Sequence, residues 1–265
     1  LSPEITGMYT HAAFNNQYNV SMEVFPISPV NALGAVVGYS LPGDLDFKAG
    51  IYQQNSIRAD MDRQGWEFDV NGDDGLVELI QLEGNIGDSP ETIGLCPPED
   101  HTFSWHSARC VQDGEVINEL PAGSWQVGAF FSQGEKVNDT RNPSHGAYAN
   151  LTIPVDIDIG VGHRFWMSGV YGFHPENNPV PMWLGTGWVT QGLLEKRHLD
   201  LIILGFSWSQ LSFDDWSQRE LLVEMEYGIV LTDSIIVLPN VQWYIESPGI
   251  DTRPVTMGIG IHAGL

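Results

Sequence analysis

Two acidic residues near the C-terminal end have a spacing that could support catalysis. Glu224 and Glu226 lie two positions apart in a run that alternates apolar and polar residues, so both side chains lie on one face of a β-strand. Glycosidases use a pair of carboxyl groups as acid and base or nucleophile. Lining a water-filled pore suits such a pair better, and no nucleophile elbow, phosphate loop, dinucleotide or metalloprotease motif accompanies it. We therefore predict that the protein is not an enzyme and binds no cofactor.

Two further segments carry groups that can hold metal ions. Asp69, Asn71 and Asp73 have the spacing of a calcium-binding loop, but the glycine and the glutamate that such a loop requires are both missing. A solvated acidic turn is the alternative there, and the sequence leaves calcium open. His101 and His106 lie five positions apart inside the segment between the two cysteines, and without further ligands this pair predicts no metal site.

Cys96 and Cys110 are the only cysteines, and they bracket a segment that reads as an irregular loop. Two cysteines in a β-rich chain without a leader predict one disulfide, formed in an oxidising compartment. A pair of buried free thiols is the alternative. The absence of a leader also suggests a mature form or a fragment.

Composition narrows the classes of partner. The net charge is −23 with only 11 Lys and Arg residues, which argues against nucleic acid and against electrostatic binding to anionic membranes. Cations or neutral solutes suit this charge better. The sequence lacks a continuous apolar run of about 18 residues, so it predicts no transmembrane helix. The 29 Gly and 9 Trp residues are typical of β-barrels.

The elements that position these residues are strands, as the alternation near the C-terminus shows most clearly. Val255, Met257 and Ile259 alternate with Thr256 and other small or polar residues. The polar faces carry Gly, Glu, Asn, Gln and His with little Lys, a composition that suits a wet, narrow lumen, whereas the apolar faces suit lipid. The pattern predicts an all-β fold, a transmembrane antiparallel β-barrel. A soluble antiparallel β-protein is the alternative.

About twelve strands can be identified by this pattern, the first over residues 9–14. Short turns alternate with longer loops, as in outer-membrane barrels. No linker divides the chain, so residues 1–265 are predicted to form one domain. The connection over about 84–123 is long where a short turn is expected, which predicts either a missed hairpin or a disulfide-containing insertion that faces the periplasm.

Several segments in the same order resemble the OprB family of carbohydrate-selective porins. The resemblance covers nearly the whole chain except Cys96–Cys110, and rests on NALGAVVGYSLPGDLDFKAGIYQQN, DDGLVELIQLEGN, LPAGSWQVGAFF, SHGAYANLTI, GLLEKRHLDLIILGFSWSQLS and the C-terminal block from ELLVEMEYGIV to MGIGIHAGL. Leu265 stands where the family has a terminal aromatic residue, and Gly260 where an Arg is common.

The resemblance implies a barrel of about 16 strands in the outer membrane of a Gram-negative bacterium, through which small neutral sugars diffuse passively. The chain resembles the C-terminal two-thirds of such a barrel. We therefore expect a fragment, a partner chain that supplies the missing strands, or a smaller closed barrel; a homo-oligomer is also open. Outer-membrane lipid is the other expected partner.

A sugar channel needs charged and amide groups for hydroxyls on the lumen side of its strands. Strand parity and the family's use of Arg and Glu predict these pore-lining residues: Lys48, Glu83, Tyr148, Arg164, Glu224, Glu226 and Gln242. Asp46, Tyr52, Gln126, Asn150 and Asn240 share their faces. Trp183, Trp188, Trp208 and Trp243 are interpreted as girdle aromatics at the membrane interfaces.

Two other functions remain open at this stage. One is an outer-membrane barrel with a plugged lumen that serves structure or the docking of a partner, as the acidic composition and the Cys96–Cys110 segment suggest. The other is a soluble, extracellular, lectin-like β-sandwich.

Overall fold

The computed structural model is an all-β structure in the residues that it describes, which are 34–53, 76–87, 120–132, 144–174, 180–194, 197, 199–213, 216–232, 235–247, 249 and 252–263. The predicted strand over 9–14, the cysteine pair Cys96–Cys110, and the calcium-loop residues Asp69, Asn71 and Asp73 lie outside this part of the chain. The described residues contain no helix that is long and apolar enough to cross a membrane.

Among these described residues, eleven strands form one antiparallel sheet in which every strand pairs with its neighbours in sequence. They are β1 Gly34–Leu41, β2 Leu45–Gln53, β3 Leu76–Ile86, β4 Gly123–Ser132, β5 Ser144–Val155, β6 Gly162–Gly172, β7 Met182–Gln191, β8 Leu201–Phe213, β9 Trp216–Thr232, β10 Ile235–Glu246 and β11 Val255–Ala263. These correspond to eleven of the twelve predicted strands. β1 and β11 are the two edges of the sheet.

The strand pairing follows from short local signals where connections are tight. Leu41 pairs with Leu45 across the β1–β2 hairpin. Gly43 and Asp44 both adopt positive φ, 84° and 56°, in the turn between them. Glycine has no Cβ to oppose this conformation, and Asp is among the few other residues that tolerate it. Gly43 and Asp44 therefore suit the tight turn of this hairpin.

Side chains on the two sides of the sheet differ sharply in exposure, because strand residues alternate between faces. The exposed side, which we call the outer face, carries Met257, Ile259 and Ile261, which are 81%, 73% and 70% exposed. The other side, the inner face, carries Glu226 and Asn240, which are buried cross-strand partners. The apolar sides of the strands thus point outward, as the barrel prediction requires.

Connections at the two ends of the sheet differ in length. The turn end carries residues 42–44, 87–122, 156–161, 192–200 and 233–234, and the loop end carries 54–75, 133–143, 173–181, 214–215 and 247–254. The tight connection between β8 and β9 at the loop end departs from the predicted alternation. β3 pairs directly with β4. The missed hairpin that the sequence left open for this connection therefore does not lie between these two strands in the sheet. β3 also continues to Ile86, past the predicted start of the insertion at Gly84.

Candidate functional site

The inner face of β2 to β6 carries a hydrogen-bonded network of polar side chains at one level of the sheet. Register places Asp46, Glu83, Gln126, Asn150 and Ser168 opposite one another on five consecutive strands. Each lies on the same face because antiparallel partners point to the same side. This row forms the centre of the network, which we call the inner ladder.

Glu83 is the hub of the inner ladder, because its carboxylate accepts hydrogen bonds from three side chains. Lys48 Nζ donates to one oxygen, while Gln81 Nε2 and Gln126 Nε2 donate to the other. The lysine side chain remains 45% exposed, whereas that of Glu83 is 19% exposed. The ion pair therefore sits at the edge of solvent, and Lys48 is the more accessible partner.

The ladder continues through amides and hydroxyls to β6. Asn150 Nδ2 donates to Gln126 Oε1 at 2.9 Å, and Ser168 Oγ donates to Asn150 Oδ1. The Tyr148 hydroxyl donates to Gln81 Oε1. A chain of groups that are both donor and acceptor can exchange protein partners for the hydroxyls of a polyol at small cost. The inner ladder is thus chemically suited to contact sugars.

A second polar group, which we call the acidic patch, covers β9 to β11. Glu224 lies opposite Gln242, whose Nε2 donates to Glu224 Oε1 at 2.8 Å. Thr256 Oγ1 donates to Gln242 Oε1 at 3.3 Å. Glu226 lies one step along the same face of β9. Gln242 is half-buried and Thr256 exposed, while both carboxyl-bearing residues are buried, so the amide and the hydroxyl are the accessible polar groups of the patch.

Arg164 lies on the inner face, and its guanidinium contacts backbone carbonyls. Nη2 donates to Leu120 O at 3.0 Å, Nη1 donates to His163 O at 2.8 Å, and Nε donates to Pro121 O. Leu120 is almost fully buried and packs against the inner-face cluster described next. Arg164 therefore holds the end of the β3–β4 connection against the inner face.

Apolar side chains also occupy the inner face, in a contiguous buried cluster. Its strand members are Val77, Phe130, Tyr148, Trp166, Val170, Trp183, Val189, Leu201, Ile203 and Leu222. Several of its rings lie over glycines. Phe130 pairs with Gly146, and Tyr148 pairs with Gly128 across the β4–β5 pair. A Cβ added at either glycine would lie within 2.4 Å of a ring carbon, so the rings lie flat against the strands instead of projecting away from them.

Trp183 corrects one sequence prediction. We expected it in an interfacial girdle, but its ring lies on the inner face over Gly185 and its Nε1 donates to Ser207 Oγ at 2.9 Å. Trp243 lies on the outer face and is 44% exposed, in keeping with a girdle role. Both faces of the sheet carry large apolar residues near Trp183. The alternation of apolar and polar residues therefore could not assign the Trp183 side chain to one face.

The predicted pore-lining residues all share the inner face, in two separate groups with Arg164 apart from both. Lys48, Glu83 and Tyr148 belong to the inner ladder, and Glu224, Glu226 and Gln242 to the acidic patch. Gln81 and Ser168 were missed. Gln81 is two positions from Glu83 in β3, and Ser168 is four positions from Arg164 in β6. An even spacing along a strand places side chains on the same face, so it could have identified both residues.

The comparisons with known proteins agree with this geometry. The model of the family described as "Carbohydrate-selective porin, OprB family" matches residues 2–261. No curated protein sequence matches significantly. The solved high-pH structure of Pseudomonas putida OprB is similar, with a TM-score of 0.69 and 15% identity over 95% of this chain and 63% of that one.

The low-pH structure of Pseudomonas putida OprB is similar too, with a TM-score of 0.54 and 15% identity over 89% of this chain and 56% of that one. At this identity the two likenesses concern the fold. The chain spans less than two thirds of the length of either structure. The match of the family model covers nearly the whole sequence, so the chain belongs to the OprB family of carbohydrate-selective porins, which are β-barrel proteins of the bacterial outer membrane.

Proposed function

We propose that this chain forms most of the wall of an outer-membrane channel through which small neutral sugars diffuse passively. The observation that carries the proposal is a distribution of side chains opposite to that of a soluble protein. Polar and charged side chains are buried on the inner face, while large apolar side chains are exposed on the outer face. In hydrocarbon, apolar side chains favour the lipid side and polar ones favour a water-filled interior.

A complete channel needs its sheet edges paired, because unpaired backbone groups cannot face hydrocarbon. Within the described part of the chain, β1 and β11 each have a single partner strand. We propose that further strands close the barrel, supplied by residues outside the described part, by a longer chain or by a partner chain. Outer-membrane lipid then covers the outer face.

Within the channel, accessible and buried polar groups take different roles. Lys48, Gln242 and Thr256 are half-buried or exposed on the inner face, so they are proposed to contact the hydroxyls of the solute. Glu83 and Glu224 accept hydrogen bonds from two of these groups and orient them. Contacts of this kind are weak individually, which lets the solute leave again. The solute passes unchanged, without an enzymatic step.

Arg164 and Tyr148 are proposed to line the passage without direct contact to the solute. Both are buried, and their polar atoms donate to protein acceptors, three backbone carbonyls for Arg164 and Gln81 for Tyr148. They therefore form part of the inner wall that supports the accessible polar groups.

The test is reconstitution of the complete assembly in planar bilayers and liposomes. We expect ion conductance that glucose reduces in a concentration-dependent manner, and faster liposome swelling with glucose than with a non-sugar polyol of equal size. Conductance that glucose leaves unchanged, together with equal swelling rates for both solutes, would show an unselective pore instead.

A plugged barrel that serves structure or the docking of a partner is the second candidate. The buried apolar cluster on the inner face favours it, because such side chains fill space that a wide channel leaves to water. Phe130 and Tyr148, in contrast, lie flat over glycines, which favours an open passage because the rings do not project into it. Absence of conductance from the complete, folded assembly would support the plugged barrel.

A further inference from the structure

Two histidines meet on the outer side of the loop end, away from both polar groups of the inner face. His145 is near the start of β5, and His174 follows the end of β6. Their ring centroids lie 5.6 Å apart with an interplanar angle of 71°. Phe173 N donates to His145 O at 2.8 Å, so a backbone hydrogen bond next to His174 fixes the two segments relative to each other.

The immediate surroundings of His145 leave one of its ring nitrogens unsatisfied. Nδ1 is buried and has no hydrogen-bond partner in the described part of the chain. The Phe131 ring lies 5.4 Å from the His145 ring, at an interplanar angle of 50°. A buried polar atom without a partner is costly, and it calls for a ligand, an ion or a water.

The separation of the two rings is close to what a shared metal ion requires. A bound metal lies about 2.0–2.1 Å from an imidazole nitrogen, hence roughly 3.2 Å from the ring centroid. Two imidazoles on one tetrahedral ion therefore have centroids roughly 5 Å apart. The observed 5.6 Å is within a small side-chain adjustment of that value.

We propose that His145 and His174 form a binding site for one divalent transition-metal ion at the loop end of the outer face. Imidazole is a preferred ligand of Zn²⁺, Cu²⁺ and Ni²⁺. No cluster of three or more His, Cys, Asp or Glu side chains suited to a metal exists among the described residues, so the described part of the chain supplies two protein ligands. Both histidines are half-buried, so their side chains keep some contact with solvent, although His145 Nδ1 itself is buried. The site is independent of the proposed sugar passage.

Cu²⁺ binding to the full chain in detergent micelles tests the site, with electron paramagnetic resonance as the readout. Cu²⁺ is the strongest binder of the first-row divalent ions and reports its nitrogen ligands directly. We expect His145→Gln and His174→Gln each to lose one equivalent of bound Cu²⁺. The double variant is expected to lose that same single equivalent, since both residues serve one ion.

Phe131→Leu is the matched control, because it removes the neighbouring ring and keeps both imidazoles. It is expected to retain the equivalent of Cu²⁺ that the histidine variants lose. Far-UV circular dichroism confirms that each variant keeps its β-structure. Unchanged stoichiometry in both single variants would show that the two rings merely pack against each other. Loss of two equivalents in the double variant would show that each histidine binds an ion of its own, which also contradicts a shared site.

Discussion

Glu224 is completely buried on the inner face of β9, whereas Met225, the next residue, is 53% exposed on the outer face. In a soluble protein this order is reversed, because burying a carboxylate is costly and burying a thioether side chain is favourable. The pair makes sense when hydrocarbon is the solvent on the Met225 side. Gln242 supplies the hydrogen bond that Glu224 needs on the other side.

Val36 and Val37 provide a matched test of which face meets lipid. They are adjacent in β1, both are exposed, and Val37 pairs with outward Ala49 while Val36 pairs with inward Gly50. Val37→Arg is expected to lower the free energy of unfolding by about 2–4 kcal/mol near the bilayer midplane. Val36→Arg keeps its charge in water and is expected to cost less than about 1 kcal/mol.

Urea unfolding of the complete barrel in lipid vesicles measures both variants of β1. The two substitutions introduce the same side chain at neighbouring positions, so propensity and edge effects cancel in the comparison. Equal losses of stability, or a larger loss for Val36→Arg, would mean that the outer face does not contact hydrocarbon.

Gly185 is predicted to be required because the Trp183 ring lies over it. A Cβ at position 185 would lie 2.5 Å from the Trp183 ring and 3.1 Å from that of Trp166. Gly185→Ala is expected to cost about 1–3 kcal/mol, as overpacked sites do. Adding Trp183→Leu should recover part of that loss, which a double-mutant cycle of unfolding free energies detects as coupling. Strictly additive costs would show that the ring is not the obstacle.

Glu83 should matter more to stability than Lys48, although the two form one ion pair. Lys48→Met removes a partly exposed partner and is expected to cost less than about 1 kcal/mol. Glu83→Ala also strands the amide donors of Gln81 and Gln126, which raises the expected cost to about 1–3 kcal/mol. Chemical unfolding of both variants measures the difference. Equal losses of unfolding free energy in the two variants would mean that Glu83 contributes through its ion pair with Lys48 alone.

Much of this arrangement could be predicted because a strand has a side-chain period of two. Parity alone placed Lys48, Glu83 and Gln242 on one face, and the register then confirmed that they share it. Parity fails where both faces carry large apolar residues, as around Trp183. There the deciding interaction is the bond from its indole to Ser207 on the next strand.

The alternation of apolar and polar residues could not predict which side chains contact one another. The bonds of Arg164 to Leu120 and Pro121 depend on how a long connection returns to the sheet, which period-two alternation does not describe. The meeting of His145 and His174 likewise needs the β5–β6 register. Strand alternation therefore predicts which side a residue faces, while its partners follow from pairing and from the paths of the connections.

The acidic patch is expected to make the channel prefer cations over anions. Glu224 and Glu226 bring two carboxylates to the inner face of one strand, while the positive charge of Lys48 is paired with Glu83. Charged rings and patches in a lumen set ion selectivity, because the low-dielectric wall focuses their field on the passage. Glu224→Gln together with Glu226→Gln should lower the ratio of K⁺ to Cl⁻ permeability.

Reversal potentials across planar bilayers under a KCl gradient measure that permeability ratio. Glu78→Gln is the control, since Glu78 is an exposed acid on the outer face of β3 and its replacement removes half of the charge that the double variant removes. The double glutamine variant should shift the reversal potential toward zero by more than twice the shift of the control, because its two carboxylates act on the passage. If Glu78→Gln shifts the potential by half as much as the double variant or more, net charge governs selectivity and the acidic patch has no special effect on the passage.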